Sequence, residues 1–165
     1  MMMDGLKMSG ANGRKYRPDA IALRFAATSS DVRSSMILVR NLLGVMDLAD
    51  DDIGKVELVL AEALNNVVEH ACVDRADHLV FLELSQDAGR LECRICDPGR
   101  PMPYTLLPEG KAPDPDVALD DLPEGGFGWM LIHELSEEVK YQRIGDENHL
   151  ILSIPVGIGA DRVQH

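Results

Sequence analysis

The sequence predicts an α+β fold, a two-layer α/β sandwich in which a mixed, mostly antiparallel sheet carries its helices on one face. Two observations favour it. Short segments of alternating apolar and polar residues occur near both ends and in the middle of the chain, as in half-buried strands. Longer segments between them have apolar residues at helical spacing. The predicted order is β-α-α-β-β-loop-α-β-β.

The first predicted strand runs from Ile21 to Ala26, because Ile21, Leu23 and Phe25 share one face. A helix to about Met46 follows, with N-cap candidates at Ser29-Ser30-Asp31. The second helix, from Ile53 to about Ala71, has a continuous apolar stripe and three aspartates before its first turn.

The second half of the chain has two predicted hairpins separated by a long irregular segment. Strands are predicted from His78 to Leu84 and from Leu91 to Cys96, and again from Val139 to Arg143 and from His149 to Pro155, the last two joined by a turn over 145–148. The proline-rich segment 97–124 lies between the pairs, and a third helix opens at Gly125. A loop of this length in a compact domain is usually functional or disordered.

Composition limits the function classes. The 165 residues suit one domain, predicted over 19–156 between a flexible arm (1–18) and a tail (157–165). A net charge of −12 argues against nucleic acid and against an anionic membrane as direct partners. We find no apolar run long enough to span a bilayer. Three cysteines fit a reducing compartment, so a cytoplasmic location is expected.

Three polar residues are spaced four apart along the second helix: Glu62, Asn66 and His70. This spacing puts a carboxylate, an amide and an imidazole along one side of the helix, next to the apolar stripe. Burying such a row without a ligand is costly. A solvated polar face is the alternative interpretation of this helix taken alone.

Two further motifs flank the long segment. Asp97-Pro98-Gly99 follows a strand, where a carboxylate can accept a hydrogen bond from a ligand amine, although these are also ordinary turn residues. The glycine-rich run 125–128 opens a helix and could present free amides to phosphate, or act as a hinge. Cys93 and Cys96 should point to opposite faces of their strand, which makes them structural cysteines and not a metal pair.

Together and in this order, the motifs resemble the GHKL superfamily of gyrase-type and histidine-kinase ATPase domains. Residues 62–70 resemble its N box, Asp97-Pro98-Gly99 its G1 box, and Gly126-Phe127-Gly128 with Leu131-Ile132 its G2 box. The resemblance spans about residues 20–155 and is closest to the anti-sigma-factor serine/threonine kinases of the RsbW type. It implies the Bergerat ATPase fold, with ATP and Mg²⁺ as ligands.

The resemblance also implies roles for individual residues. Asn66 would coordinate Mg²⁺, Glu62 would be the general base, and Asp97 would accept the adenine amine. Residues 100–124 would form the ATP lid. The remaining implied nucleotide contacts are His70, Gly99, Arg100, Lys111, Gly125, Gly126, Phe127 and Gly128.

The function implied is a protein kinase that phosphorylates a STAS-domain anti-anti-sigma factor and sequesters a sigma factor or another effector. A homodimer is also implied. The alternatives are a nucleotide-gated protein-binding module without phosphotransfer, a histidine-kinase catalytic fragment, which is disfavoured, and a simple ATP hydrolase. Fold-level kinship does not separate these functions.

Overall fold

The computed structural model describes residues 20–46, 48–103, 106–109 and 126–157. Within these ranges the chain forms nine elements, in the predicted order. They are β1 (Ala20–Ala26), α1 (Ser29–Leu43), α2 (Asp50–Asn66), a π-helical turn (Val67–Ala71), β2 (Leu79–Asp87), β3 (Arg90–Asp97), α3 (Gly126–Leu135), β4 (Glu138–Ile144) and β5 (Glu147–Pro155). The arm, most of the tail and most of the lid lie outside the described residues, so those predictions stay predictions.

The five strands form one sheet in the order β1-β2-β3-β5-β4. All four pairings are antiparallel, so the described sheet has no parallel pair of the kind that a mixed sheet would contain. Connectivity explains two of the four pairings: β2–β3 and β4–β5 are hairpins, and a tight turn can join only antiparallel neighbours. Both turns contain residues with positive φ, which suits the twist of the flanking strands.

One face of the sheet carries the core. On β3, Leu91, Cys93 and Ile95 are buried, whereas the residues between them point away from the helices. Cys93 therefore lies in the core and Cys96 on the opposite face, which confirms the prediction that the two side chains point to opposite faces of the strand. In the described ranges, no helix is long and apolar enough to cross a membrane.

Helix α2 packs against both α1 and α3, so it is the central helix of the layer. Its inward stripe is fully buried at Val56, Val59, Leu60 and Ala63. The helix positions that flank this buried stripe lie at the boundary between the core and solvent. The fold places the polar row predicted on this helix at that boundary.

The second helix differs from its prediction at both ends. It begins at Asp50 instead of Ile53, and its α-helical part ends at Asn66 instead of Ala71. From Val67 to Ala71 the backbone is π-helical, and the amide of Cys72 donates to the carbonyl of Val67 at 2.7 Å. A π-turn accommodates one extra residue per turn, which periodicity does not reveal because the apolar stripe continues through it.

Candidate functional site

A cavity of about 450 Å³ opens between the end of α2, the π-helical turn, the ends of β3 and β5, and the described residues of segment 100–124. Four predicted site residues line it: Asn66, His70, Asp97 and Arg100. Its other walls are mostly apolar and include Ala63, Met102, Trp129 and Leu150. A mostly apolar cavity with a few convergent polar groups is typical of a small-molecule site.

Asp97 is the last residue of β3 and only 4% exposed. Its Oδ1 atom accepts from the Gly99 amide at 2.8 Å and from Asn148 Nδ2 at 2.9 Å, and the Cys72 thiol lies 3.7 Å away. All three of these contacts, made within the described ranges, use Oδ1, and none uses Oδ2. Burial raises the pKa of Asp97, and the bonds from Asn148 and Gly99 lower it in part.

Gly99 follows this carboxylate where two backbone segments meet. A Cβ atom placed on Gly99 would lie 2.5 Å from the carbonyl carbon of Ala71 and 2.7 Å from Asp97 Oδ1. The next amide, of Arg100, donates to the Ala71 carbonyl at 2.8 Å. The turn after β3 therefore packs directly on the π-helical turn, and only glycine fits at this position.

Asn66 is the last α-helical residue before the π-turn. Its Nδ2 atom is buried and has no hydrogen-bond partner among the described residues. The neighbouring Asn65 is exposed and does not line the cavity. An amide oxygen is a suitable ligand for a hard cation such as Mg²⁺, and the amide nitrogen can donate to a phosphate oxygen.

In the described ranges, no group of three or more His, Cys, Asp or Glu side chains could hold a metal by itself. Asn66 alone would be too weak a ligand set for a protein-only site. The arrangement fits a Mg²⁺ ion held jointly with phosphate oxygens, since Mg²⁺ commonly combines one or two protein oxygens with phosphates and water.

Glu62 lies one helical turn before Asn66 and faces α3, not the cavity. A Cβ atom on Gly128 would lie 2.5 Å from Glu62 Oε2, so the absence of a side chain there gives this carboxylate its space. Gly126 and Gly128 belong to the first turn of α3, whose amides are unpaired within the helix. The structure thus brings the N box and the G2 box into contact.

The remaining predicted nucleotide contacts lie at the edge of the cavity, outside it, or outside the described residues. His70 and Arg100 line the cavity but are exposed, and the side chain of Phe127 is 42% exposed and does not line it. Lys111 and Gly125 lie outside the described residues.

Sequence reasoning missed Tyr141, Arg143 and Asn148. The sequence predicts a turn over 145–148, but β5 already begins at Glu147. Asn148 is therefore a strand residue, 5% exposed, and pairs with Asp97 in the register of β3 and β5. No local motif marks these residues; only the strand register could have identified them.

Comparison with known proteins identifies the family of the chain. The family model of the histidine kinase-like ATPase domain matches residues 25–154. The serine-protein kinase RsbW of Halalkalibacterium halodurans is 26% identical over 153 residues, covering 92% of this chain and 91% of the relative. The protein of the same name from Bacillus subtilis is 24% identical, covering 92% of this chain and 93% of the relative.

Solved structures show the same fold at lower identity. A structure of the RsbU and RsbW domains of a Mycobacterium tuberculosis protein superposes with a TM-score of 0.58 at 17% identity, covering 87% of this chain and 34% of that one. A blue-light activated histidine kinase of Erythrobacter litoralis gives a TM-score of 0.50 at 21% identity, covering 77% and 41%.

Proposed function

This chain belongs to the histidine kinase-like ATPase domain family, and we propose that it is an ATP- and Mg²⁺-dependent serine/threonine protein kinase. One observation carries the proposal: the same cavity contains a buried carboxylate with one oxygen left over and a buried amide nitrogen without a partner among the described residues. These two groups suit opposite ends of a nucleotide. The names and nearly full-length coverage of the RsbW relatives support the kinase assignment.

The base-binding end is built by Asp97 and Gly99. Oδ2 of Asp97 would accept a hydrogen bond from the exocyclic amine of adenine, and a purine that carries an oxygen at that position would be repelled. The missing side chain of Gly99 lets the backbone lie close to a flat ring. The apolar walls exclude water from this bond and so strengthen it.

The phosphate end is built by Asn66 and the first turn of α3. The amides of Gly126 and Gly128 stand at the positive end of the α3 dipole, which favours anionic oxygens. Arg100 would meet the phosphates as a cation, and so would Lys111 of the segment predicted as the lid. Mg²⁺, when bound beside Asn66, would neutralise phosphate charge that develops during transfer.

Glu62 would take the proton from the attacking Ser or Thr hydroxyl. Glu62 and Asn66 are four residues apart, so their backbone positions are separated by about 6 Å along the axis of α2. The Glu62 carboxylate also lies against Gly128, in the first turn of α3. General-base catalysis by a positioned carboxylate typically contributes about 10²–10⁴-fold to the rate.

The partner assignment rests on the RsbW resemblance. We propose that the phosphoacceptor is a serine or threonine of a STAS-domain anti-anti-sigma factor. The unphosphorylated partner would release a sigma factor, or another effector, which the kinase otherwise sequesters. A cytoplasmic homodimer is part of the same proposal.

The test is transfer of labelled phosphate from Mg-ATP to the cognate STAS protein. Glu62→Gln should lower the rate about 100-fold, within the range for loss of a general base, while calorimetry shows ATP binding within about twofold of wild type. Asn66→Ala should lose both binding and transfer. Glu69→Gln, an exposed carboxyl position on the π-helical turn, is the matched control.

A second function is favoured by the placement of Glu62 against Gly128 and away from the cavity wall. The chain would then be a nucleotide-gated binding module that retains Asn66 and Asp97 but does not transfer phosphate. Tight Mg-ATP binding without phosphate incorporation in the wild type would select this function. An undiminished transfer rate in Glu62→Gln would show that this residue is not the base.

A further inference from the structure

The side-chain amide of Asn148 uses all of its hydrogen-bond donors and acceptors. Nδ2 donates to Asp97 Oδ1 and to the Arg100 carbonyl, both at 2.9 Å. Oδ1 accepts from the Tyr141 hydroxyl at 2.6 Å and from Arg143 Nη1 at 2.9 Å. Arginine can only donate and a carbonyl can only accept, so one orientation of the amide satisfies all four bonds.

The two donor bonds connect two parts of the site. One holds the buried carboxylate of Asp97, and the other holds the backbone where the lid begins. Because Asn148 has no hydrogen-bonding capacity left, it offers a ligand no further bond even though it borders the cavity. Its influence on a nucleotide must therefore pass through Asp97 and the lid.

Tyr141 and Arg143 extend the same connection along the start of the lid. The Tyr141 hydroxyl accepts from the Met102 amide at 3.0 Å, and Arg143 Nη1 donates to the Gly99 carbonyl at 2.8 Å. Three backbone positions between residues 99 and 102 are thus tied to β4 and β5. In strand register, Arg143 pairs with Asn148 and Asn148 pairs with Asp97. These three residues therefore lie side by side on three neighbouring strands.

We propose that Asn148, supported by Tyr141 and Arg143, is a positioning residue that sets the preference of the site for a 6-aminopurine. It occupies Oδ1 of Asp97 and so directs Oδ2 at the amine. It also couples that carboxylate to the root of the lid. This inference rests on the proposed nucleotide-binding function.

The chemistry favours an amide in this place. An aspartate at position 148 would put an acceptor against the Asp97 carboxylate, and a leucine would leave Oδ1 of Asp97 and the Arg143 guanidinium with fewer partners. A side chain with two donors and an acceptor on one planar group satisfies all the neighbours simultaneously. Buried networks of this kind fix geometry only while every member is satisfied.

The experiment compares calorimetric Kd values for Mg-ATP and for the Mg-triphosphate of purine riboside, which has hydrogen in place of the 6-amine. Wild type should prefer ATP about tenfold, as expected for one hydrogen bond to a charged group. Asn148→Ala should weaken ATP binding about tenfold and leave the analogue within about twofold, which removes the preference. Tyr141→Phe keeps the ring packing and should shift the preference in the same direction by about threefold.

Gln142→Ala is the matched control, because it removes an exposed amide from β4, the strand next to β5, on the face opposite to Tyr141 and Arg143. Equal weakening of both nucleotides in Asn148→Ala would indicate a general structural role and overturn the proposal. An unchanged ATP preference would overturn it as well.

A readout without nucleotide separates this inference from the proposed function. Since the bond from Asn148 lowers the pKa of Asp97, Asn148→Ala should raise that pKa in a carbon-13 NMR titration of the nucleotide-free protein. If wild type binds neither nucleotide but this shift is present, the proposed function fails and the positioning of Asp97 stands. If the shift is absent, the network does not position Asp97.

Discussion

At the scale of single residues, Asp97 shows how a binding site can cost stability. Its carboxylate is buried at the end of β3, and burial raises its pKa above the ordinary value near 3.8. The folded protein therefore binds a proton more tightly than the unfolded chain does. By linkage, the free energy of unfolding falls as the pH rises from the ordinary pKa through the raised one.

We expect Asp97→Asn to be more stable than wild type at pH 7, because it removes the desolvated charge and keeps an acceptor for Gly99 and Asn148. The difference in unfolding free energy should shrink as the pH falls through the raised pKa of Asp97, where the wild-type carboxyl becomes neutral. Urea denaturation at a series of pH values measures this difference.

The same variant should bind ATP at least tenfold more weakly, since an amide nitrogen in the place of Oδ2 would face the adenine amine with a donor. Calorimetry checks the affinity. A variant that is less stable than wild type at every pH would contradict the account of Asp97 as a group whose burial costs stability.

Gly99 and Gly54 offer a second pair of tests at this scale. Gly99→Ala should lower the unfolding free energy by about 1–3 kcal/mol, the range for overpacking, because the new Cβ would strike the backbone of Ala71. Gly54 lies inside α2, and a Cβ atom added there would meet nothing within 4 Å. Gly54→Ala should therefore raise the unfolding free energy by about 0.5–1 kcal/mol.

Thermal and urea denaturation of the two variants measure these opposite effects on the unfolding free energy. The comparison is matched because both variants add the same methyl group. Nucleotide binding should be lost in Gly99→Ala and retained in Gly54→Ala. Equal stability of the two variants would show that the turn after β3 is free to move away from the π-helical turn.

At the scale of elements, the π-helical turn contains the second half of the N box, residues 67–70. It continues α2 without a break but widens the helix, and the Ala71 carbonyl is then placed to accept from the Arg100 amide. An α-helical continuation would place Ala71 elsewhere around the helix axis. π-turns within helices occur often at functional sites, and this one joins the end of α2 to the root of the lid.

Deletion of Glu69 should convert this segment to an ordinary α-turn. A π-turn contains one residue more than an α-turn, and the deletion removes that residue. Helix content by circular dichroism should be retained, whereas ATP affinity should fall at least tenfold as the Arg100 bond is lost and His70 is rotated away. Glu69→Ala, which keeps the chain length, serves as the control. Wild-type affinity in the deletion would mean that the π-turn has no role in the site.

At the scale of the whole molecule, the order of the elements and the single helical layer were predictable, because they depend on local patterning. Alternation identified strands, the apolar stripe identified α2, and these patterns are what burial of one face requires. The position of Asp97 at the end of a strand and of Gly126 at the start of a helix follow in the same way. The net charge of −12 likewise comes from the sequence alone.

The sequence by itself determined the type and order of the elements and which motifs carry polar groups, since both are properties of neighbouring residues. Tertiary structure decided the rest. Strand register, which no local pattern encodes, put Asn148 against Asp97, and the π-turn put Ala71 against Gly99. Packing of α3 on α2 put Gly128 beside Glu62, and turned Glu62 away from the cavity that Asn66 lines. Contacts between residues distant in sequence form only when the sheet and the helices come together.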